Sequence, residues 1–181
     1  APIVIAEAEA SSESTYAMDN NNLLSYADLD GDGTHDILTL GQVAEDLRTP
    51  IWYRGLGGGA YAPAQRVSDS WTTSSDIYAL VAMDASGDGV LDVLTVNRNI
   101  SMPGFAVWVG YHAGLGAGIF ASEPVVVDSL GTTQLNLWPV LAKVGDVDGD
   151  LINDLVLGFP SVFGVEIPNL LWYRNEVTTG L

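Results

Sequence analysis

Cysteine is absent from this 181-residue chain, and basic residues are scarce. Without cysteine there can be no disulfide, thiolate metal site or cysteine nucleophile, and the redox compartment stays undetermined. Only 6 lysines and arginines stand against 23 acidic residues, which gives a formal charge of −17. A field of that sign repels phosphate backbones and anionic lipids, so we expect no nucleic-acid partner and no membrane insertion.

Long apolar runs are missing as well. No stretch approaches the ~20 residues of a membrane-spanning helix, and no basic segment followed by an apolar one marks a signal peptide. No long stretch shows helical periodicity, so we expect little helix. The chain begins with Ala-Pro rather than Met. We therefore expect a processed protein or part of a longer one, and processing would suit a secreted or cell-surface location.

The most informative feature that is present is an acidic loop that occurs three times. The copies are residues 28–36 (DLDGDGTHD), 84–92 (DASGDGVLD) and 146–154 (DVDGDLIND). Each copy has oxygen-bearing side chains at loop positions 1, 3, 5 and 9, a spacing that suits a hard cation such as Ca²⁺. The loops hold 11 of the 23 acidic residues. Their mutual repulsion predicts that metal binding and folding are coupled.

Each acidic loop lies inside a larger repeated unit. A short apolar strand precedes the loop, a β-branched strand follows it, and an aromatic strand, a glycine-rich turn and a fourth strand come next in the first two units. The predicted strands are 23–27, 37–40, 51–54 and 61–67, then 80–83, 93–96, 107–111 and 119–127, then 140–145, 155–157 and 171–174. Four short strands in about 60 residues are typical of a propeller blade.

We therefore predict an all-β fold, a single β-propeller segment over residues 1–181 built from four-stranded antiparallel blades. The units are approximately 23–67, 79–127 and 137–175. Residues 2–6 resemble 123–127 and are predicted to be the outer strand that completes the third blade. Three blades cannot close a ring of about 4 to 8. We expect the chain either to be part of a longer one or to self-associate head to tail.

Together the acidic loops, the strands around them and the WYR segments at 52–54 and 172–174 resemble the FG-GAP and VCBS repeat family, which includes the propeller of integrin α-subunits. The resemblance spans essentially the whole chain. It implies a β-propeller with up to three Ca²⁺ sites, one in each loop between the first two strands of a blade.

Carried over by position, the resemblance implies three sets of metal ligands. The ligand at loop position 7 is a backbone carbonyl. The sets are Asp28, Asp30, Asp32, Thr34 and Asp36; Asp84, Ser86, Asp88, Val90 and Asp92; and Asp146, Asp148, Asp150, Ile152 and Asp154.

Two positions set the loops apart from one another. Ser86 replaces a carboxylate, so the second site should bind Ca²⁺ more weakly than the first. Leu151 stands where the other loops have Gly33 and Gly89, a position that favours a left-handed backbone. A leucine there is strained if that conformation is kept, so the third loop is predicted to be distorted.

Other interpretations of the loops are weaker. An EF-hand needs an acid at loop position 12, where this chain has Thr39, Thr95 and Leu157. A solvated acidic turn without metal would explain one such loop better than three in register. No serine lies in a nucleophile elbow, and the acids are accounted for by metal spacing, so we expect no enzymatic activity.

Several aromatic and basic residues need an assignment. Trp52, Trp108 and Trp172 are predicted to be repeat equivalents in the core between blades, whereas Trp71 and Trp138 are candidates for a binding surface. His35 and His112 are predicted at the surface. Arg54 and Arg174 recur at one repeat position and are predicted to form a structural ion pair or a hydrogen bond to a loop.

The function that these observations favour is a calcium-binding, extracellular recognition, adhesion or scaffold module, which the resemblance suggests could be lectin-like and bind a carbohydrate or protein. The alternative is a propeller domain of a secreted carbohydrate-active hydrolase. Activity on glycans that is lost on replacing acids outside the loops, such as Glu123 or Glu166, would support that alternative.

Overall fold

The computed structural model of the protein describes residues 23–44, 47–68, 76–99, 106–130, 141–159 and 170–176. These residues form thirteen β-strands and no helix, so none of them provides a helix that could span a membrane. The strands are β1 (Leu24–Ala27), β2 (Asp36–Ala44), β3 (Leu47–Tyr53), β4 (Gly55–Gly57), β5 (Ala60–Tyr61), β6 (Gln65–Arg66), β7 (Asp76–Met83), β8 (Asp92–Asn99), β9 (Ala106–His112), β10 (Val125–Leu130), β11 (Leu141–Gly145), β12 (Asp154–Gly158) and β13 (Leu170–Tyr173).

The strands form three main antiparallel sheets, one for each sequence unit. Their strand orders are β1-β2-β3-β6 in the first sheet, β10-β9-β8-β7 in the middle sheet and β11-β12-β13 in the third. Strands β4 and β5 form a separate hairpin, so the fourth strand predicted over 61–67 is limited to β6 at the sheet edge. The predicted all-β class and the repeated antiparallel sheets are confirmed.

Alternation along the second strands explains how the sheets stack. Leu38 and Leu40 point with Trp52 into a cluster shared with Leu80 and Val93 of the middle sheet. On the opposite face of the middle sheet, Leu94, Val96 and Val109 pack against Leu155 and Leu157 of the third. Because side chains on a strand alternate between faces, the middle sheet is covered on both sides. The first strands β1, β7 and β11 lie side by side and line a groove of about 200 Å³.

Within the described residues, the outer faces of this stack are open. Leu24 and Tyr26 are 64% and 59% exposed on the first sheet. Leu170 and Trp172 are 64% and 49% exposed on the third. The residues on each open face occupy register positions whose counterparts in the middle sheet are covered by a neighbouring sheet. The burial of sheet faces therefore depends on a neighbouring repeat.

The strand register corrects one predicted equivalence. Leu38 pairs with Trp52, Leu94 with Tyr111, and Val156 with Trp172. Tyr111, not Trp108, is therefore the repeat equivalent of the other two residues. β9 runs three residues further toward its acidic loop than the tryptophan alignment assumes, and Trp108 pairs with Asn97 instead.

Burial also divides the three tryptophans. Trp52 is 2% exposed and meets Phe120 edge to face, with ring centroids 6.4 Å apart. Trp108 packs at the margin of the same cluster, but Trp172 lies on the open face of the third sheet and is exposed. The predicted core role is right for the first, partly right for the second and wrong for the third in this structure, because no described sheet covers that face.

His112 is a second correction, because the ring is fully buried rather than at the surface. It occupies the register position of Tyr53 and Tyr173, and its Nδ1 lies 2.9 Å from the Ala121 carbonyl oxygen. Burial is the main cause of a lowered pKa, which favours the neutral ring. His35 is exposed as predicted and stacks on Tyr26. The predicted outer strand 2–6, Trp71 and Trp138 lie outside the described residues.

Candidate metal centres

Each acidic loop connects the first strand of its sheet to the second, so all three loops occupy the same place in the repeat. The loops follow β1, β7 and β11 and end where β2, β8 and β12 begin. The sheet therefore fixes both ends of every loop. This common placement lets the three copies be compared atom by atom.

The first aspartate organises each loop through backbone N–H groups. In the first loop, Asp28 Oδ1 accepts hydrogen bonds from Gly31 N and Asp32 N, and Oδ2 accepts one from Gly33 N, at 2.9 to 3.0 Å. The same three bonds recur around Asp84 and Asp146, at 2.7 to 3.1 Å. Successive N–H groups that point at one carboxylate curl the backbone into a tight turn.

This turn requires a left-handed backbone at two loop positions. Gly31, Gly87 and Gly149 at position 4 have φ values of 76° to 84°. At position 6, Gly33 and Gly89 have φ values of 87° and 86°, and Leu151 keeps the same conformation at 71°. The predicted distortion of the third loop is therefore wrong. Leu151 is 92% exposed, so its side chain meets no obstacle, and its N–H still donates to Asp146 Oδ2 at 2.9 Å.

The ninth loop residue is a buried anchor between the loop and the third strand. Asp36, Asp92 and Asp154 are each fully buried. One carboxylate oxygen of each accepts a hydrogen bond from a backbone N–H at the start of its loop. The other oxygen accepts one from the backbone N–H two residues after the third strand ends. The latter donors are Gly55 N, Gly114 N and Asn175 N, at 2.7 to 2.8 Å. These donors have no counterpart in the sequence motif, and only the shared register identifies them.

The electrostatics of the anchors differ. Burial raises the pKa of Asp36 and of Asp92 above its ordinary value, against the opposing effect of their backbone hydrogen bonds. The pKa of Asp154 is lowered, chiefly by the hydrogen bond from Asn175 N and in part by the nearby Arg174 charge. The pKa of Asp32 is also lowered, by the hydrogen bond from Thr34 N and then by Arg54.

Two of the three loops gather carboxylates closely enough to share one ion. Oxygens of Asp28, Asp30 and Asp32 lie within 4.8 Å of one another, as do oxygens of Asp146, Asp148 and Asp154. Among the described residues, the middle loop gathers no such set. Both gathered sets include the carboxylate at the third loop position, which Ser86 replaces in the middle loop. Metal ligation by every predicted residue stays a prediction. The predicted ligands outside the two gathered sets are Asp36, Asp84, Ser86, Asp88, Asp92 and Asp150, and the carbonyls of Thr34, Val90 and Ile152.

The donor set fits Ca²⁺ on chemical grounds. The gathered atoms are carboxylate oxygens, the ligands that hard cations prefer, and neither gathered set contains a histidine or a cysteine for a softer metal. The carboxylates also need compensation, since like charges this close repel one another. Ca²⁺ bound in these loops would supply that compensation and tie the loop carboxylates together.

An arginine contacts each gathered cluster. Arg54 Nε lies 2.6 Å from Asp30 Oδ2, and its Nη2 lies 2.7 Å from Asp32 Oδ2. In the third repeat, Arg174 Nε lies 2.6 Å from Asp148 Oδ2, and its Nη2 lies 3.4 Å from Asp150 Oδ2. The ion pair predicted for the recurrent arginines is confirmed, and the acidic loop itself is the partner.

Stacked antiparallel sheets, each with an acidic loop after its first strand, define an all-β repeat protein. Residues 28–95 match the family model described as FG-GAP-like repeat, and this chain therefore carries an FG-GAP-like repeat, as the sequence predicts. The matched segment runs from the first acidic loop to β8 and includes two of the three loops. A comparison with curated proteins returns no match.

Proposed function

We propose that this chain is a Ca²⁺-stabilised, non-enzymatic recognition module that acts outside the cell. The observation that carries the proposal is the common loop scaffold: three loops hold their first aspartate by the same three backbone hydrogen bonds, and two of them gather three carboxylates. FG-GAP-like repeats are typical of extracellular proteins and commonly bind Ca²⁺.

The loop residues have different roles in such a site. The first aspartate holds the turn, the aspartates at positions 3 and 5 present oxygens to the ion, and the buried ninth aspartate fixes the loop to the sheet. The ion would neutralise the repulsion that remains. Because the unfolded chain lacks this arrangement, Ca²⁺ should bind the folded state preferentially and stabilise it.

Thermal unfolding with and without chelator tests the metal. We expect the midpoint to fall on chelation and to recover with added Ca²⁺, and we expect Asp28→Asn to reduce the difference. Glu123→Gln is the matched control, because it removes the same charge from an exposed site outside the loops. An equal midpoint in Ca²⁺ and in chelator would refute structural calcium.

The recognition role needs its own experiment. We propose an adhesive or lectin-like module, in which the loops stabilise the sheets and other surfaces bind a carbohydrate or protein. A glycan array probed in Ca²⁺ and again in chelator should show binding that is lost with the metal. Turnover of a glycan by the purified chain would contradict the non-enzymatic part of the proposal.

A further inference from the structure

The middle repeat lacks both the arginine that contacts the acidic loop and the aspartate at loop position 3 that the arginine contacts in the other repeats. The register places Ala113 where the other repeats have Arg54 and Arg174, since each of these residues directly precedes the N–H that binds the ninth aspartate. In the same repeat, Ser86 stands at the third loop position in place of an aspartate. The residues that meet across 2.6 Å in the first and third repeats are therefore both replaced in the middle one.

This joint replacement conserves charge. The first and third loops each contain four aspartates and contact one arginine, whereas the middle loop contains three aspartates and has no arginine at that position. Each loop with its arginine thus has a formal charge of −3. Arg174 Nη1 also lies 3.5 Å from Oε1 of Glu176, an exposed residue outside the loop that is not counted in this charge. Three loops of different composition therefore have the same formal charge once the arginine is counted. A surface ion pair with no role in the loop would not require this equality.

The hydrogen bonds show how the arginine acts on the loop. Asp30 Oδ1 accepts from Asp32 N at 3.1 Å, and Asp32 Oδ1 accepts from Thr34 N at 2.8 Å. Their Oδ2 atoms are those that the guanidinium contacts. Each carboxylate therefore accepts a backbone hydrogen bond at one oxygen and contacts the guanidinium at the other, so the planar guanidinium bridges the two groups.

We propose that Arg54 and Arg174 are positioning residues that act as a built-in cation, fixing the aspartates at loop positions 3 and 5 and holding each site at a net charge of −3. The inference rests on the proposed function of the loops as Ca²⁺ sites. In the metal-free protein the arginine replaces part of the compensation that the ion would give, so the loop stays folded. In the calcium-bound protein it limits the attraction for the ion.

The middle repeat offers a direct test, because the pair can be introduced where the chain lacks it. The variants are Ser86→Asp, Ala113→Arg and the double substitution, each made in the full chain. Without metal, Ser86→Asp alone should lower the unfolding midpoint by several degrees, and the double substitution should restore it to the level of the parent. Ala113→Arg alone should change it little.

Calcium affinity provides the readout that a purely structural ion pair would not move. By isothermal titration calorimetry, Ser86→Asp should tighten Ca²⁺ binding by about tenfold, because ligand charge tunes the affinity of such loops. The double substitution should return the affinity toward the parent value. If Ser86→Asp fails to fold, Arg54→Ala in the first repeat tests the same point. We expect it to lower the unfolding midpoint in chelator and to tighten Ca²⁺ binding. Arg54→Lys should recover only part of the midpoint that Arg54→Ala loses.

The outcomes separate the two proposals. Equal chelated midpoints for Ser86→Asp and the double variant, or equal calcium affinities for the two, would overturn the positioning role. Absence of Ca²⁺ binding by the parent and all variants would overturn the proposed function, whatever the midpoints show.

Discussion

The buried ninth aspartate of each loop makes a prediction that separates anchoring from metal binding. In the middle repeat, Asp92 accepts backbone N–H groups from Ala85, Ser86 and Gly114 at 2.7 to 2.8 Å and is fully buried. Asp92→Asn keeps the shape but turns one acceptor into an N–H₂ donor. In either orientation of the amide, that donor faces at least one backbone donor.

The cost follows from the number of hydrogen bonds affected. Loss of a hydrogen bond to a charged group, with its buried partner left unsatisfied, costs roughly 1.5 to 3 kcal/mol. The amide loses fewer bonds when its nitrogen replaces the oxygen that faces Gly114: one such bond is then lost, and the bonds from Ala85 and Ser86 weaken because their acceptor is no longer charged. We expect Asp92→Asn to destabilise the protein by about 3 kcal/mol. For a chain of this size, that lowers the unfolding midpoint by about 9 °C.

Thermal unfolding in chelator measures this anchoring without any contribution from metal. Asp88→Asn is the matched control, since it makes the same chemical change in the same loop at an exposed residue whose carboxylate accepts one backbone N–H, from Val90. We expect the control to cost less than 1 kcal/mol in chelator. If both variants lose stability only when Ca²⁺ is present, the anchoring role of Asp92 is wrong and metal ligation alone explains the residue.

Three further predictions concern backbone strain, pH and assembly. Leu151→Gly should raise the unfolding midpoint by about 2 to 4 °C, because glycine adopts the left-handed backbone freely; an unchanged or lower midpoint would contradict strain at this position. Since burial lowers the pKa of His112 in the folded state, its contribution to stability is complete above the unfolded value of about 6.5 and declines as the pH falls below it. Midpoints at pH 7.5 and 5.5 should differ more for the parent and for His35→Gln than for His112→Gln, and an equal difference in all three would refute this. We also propose that a second copy of the chain stacks on the open sheet faces, so light scattering should show an oligomer that Trp172→Glu disperses; a compact parent monomer would contradict it.

Much of the fold can be predicted from the sequence because its signals are local. Alternating apolar residues define β2, β8 and β12, and the acidic loops between strands locate the turns. Gly33 and Gly89 at position 6 of the first two loops indicate the left-handed backbone. The aspartate spacing also predicts which carboxylates converge, and three of the four predicted carboxylates do so in the first and in the third loop. These features depend on residues within about ten positions of one another.

The sequence comparison was wrong about the third strands, because their pairing register is not visible in the sequence. The tryptophan of each unit suggested the equivalence of Trp52 and Trp108, but hydrogen-bonded pairing assigns that place to Tyr111. The same shift hides the equivalence of Ala113 with Arg54. The prediction that His112 lies at the surface was also wrong, because nothing in the neighbouring sequence indicates that the ring of a polar residue at the end of a strand is buried.

The sequence by itself determined the three acidic loops, their spacing and the strands around them, because these are set by side-chain chemistry and backbone preference over short distances. Only the tertiary structure decided which backbone N–H groups hold the ninth aspartate, which arginine meets which carboxylate and which tryptophan is covered. Those contacts join residues that are about 20 or more positions apart, and the pairing register of the third strand, which no local signal encodes, brings them together.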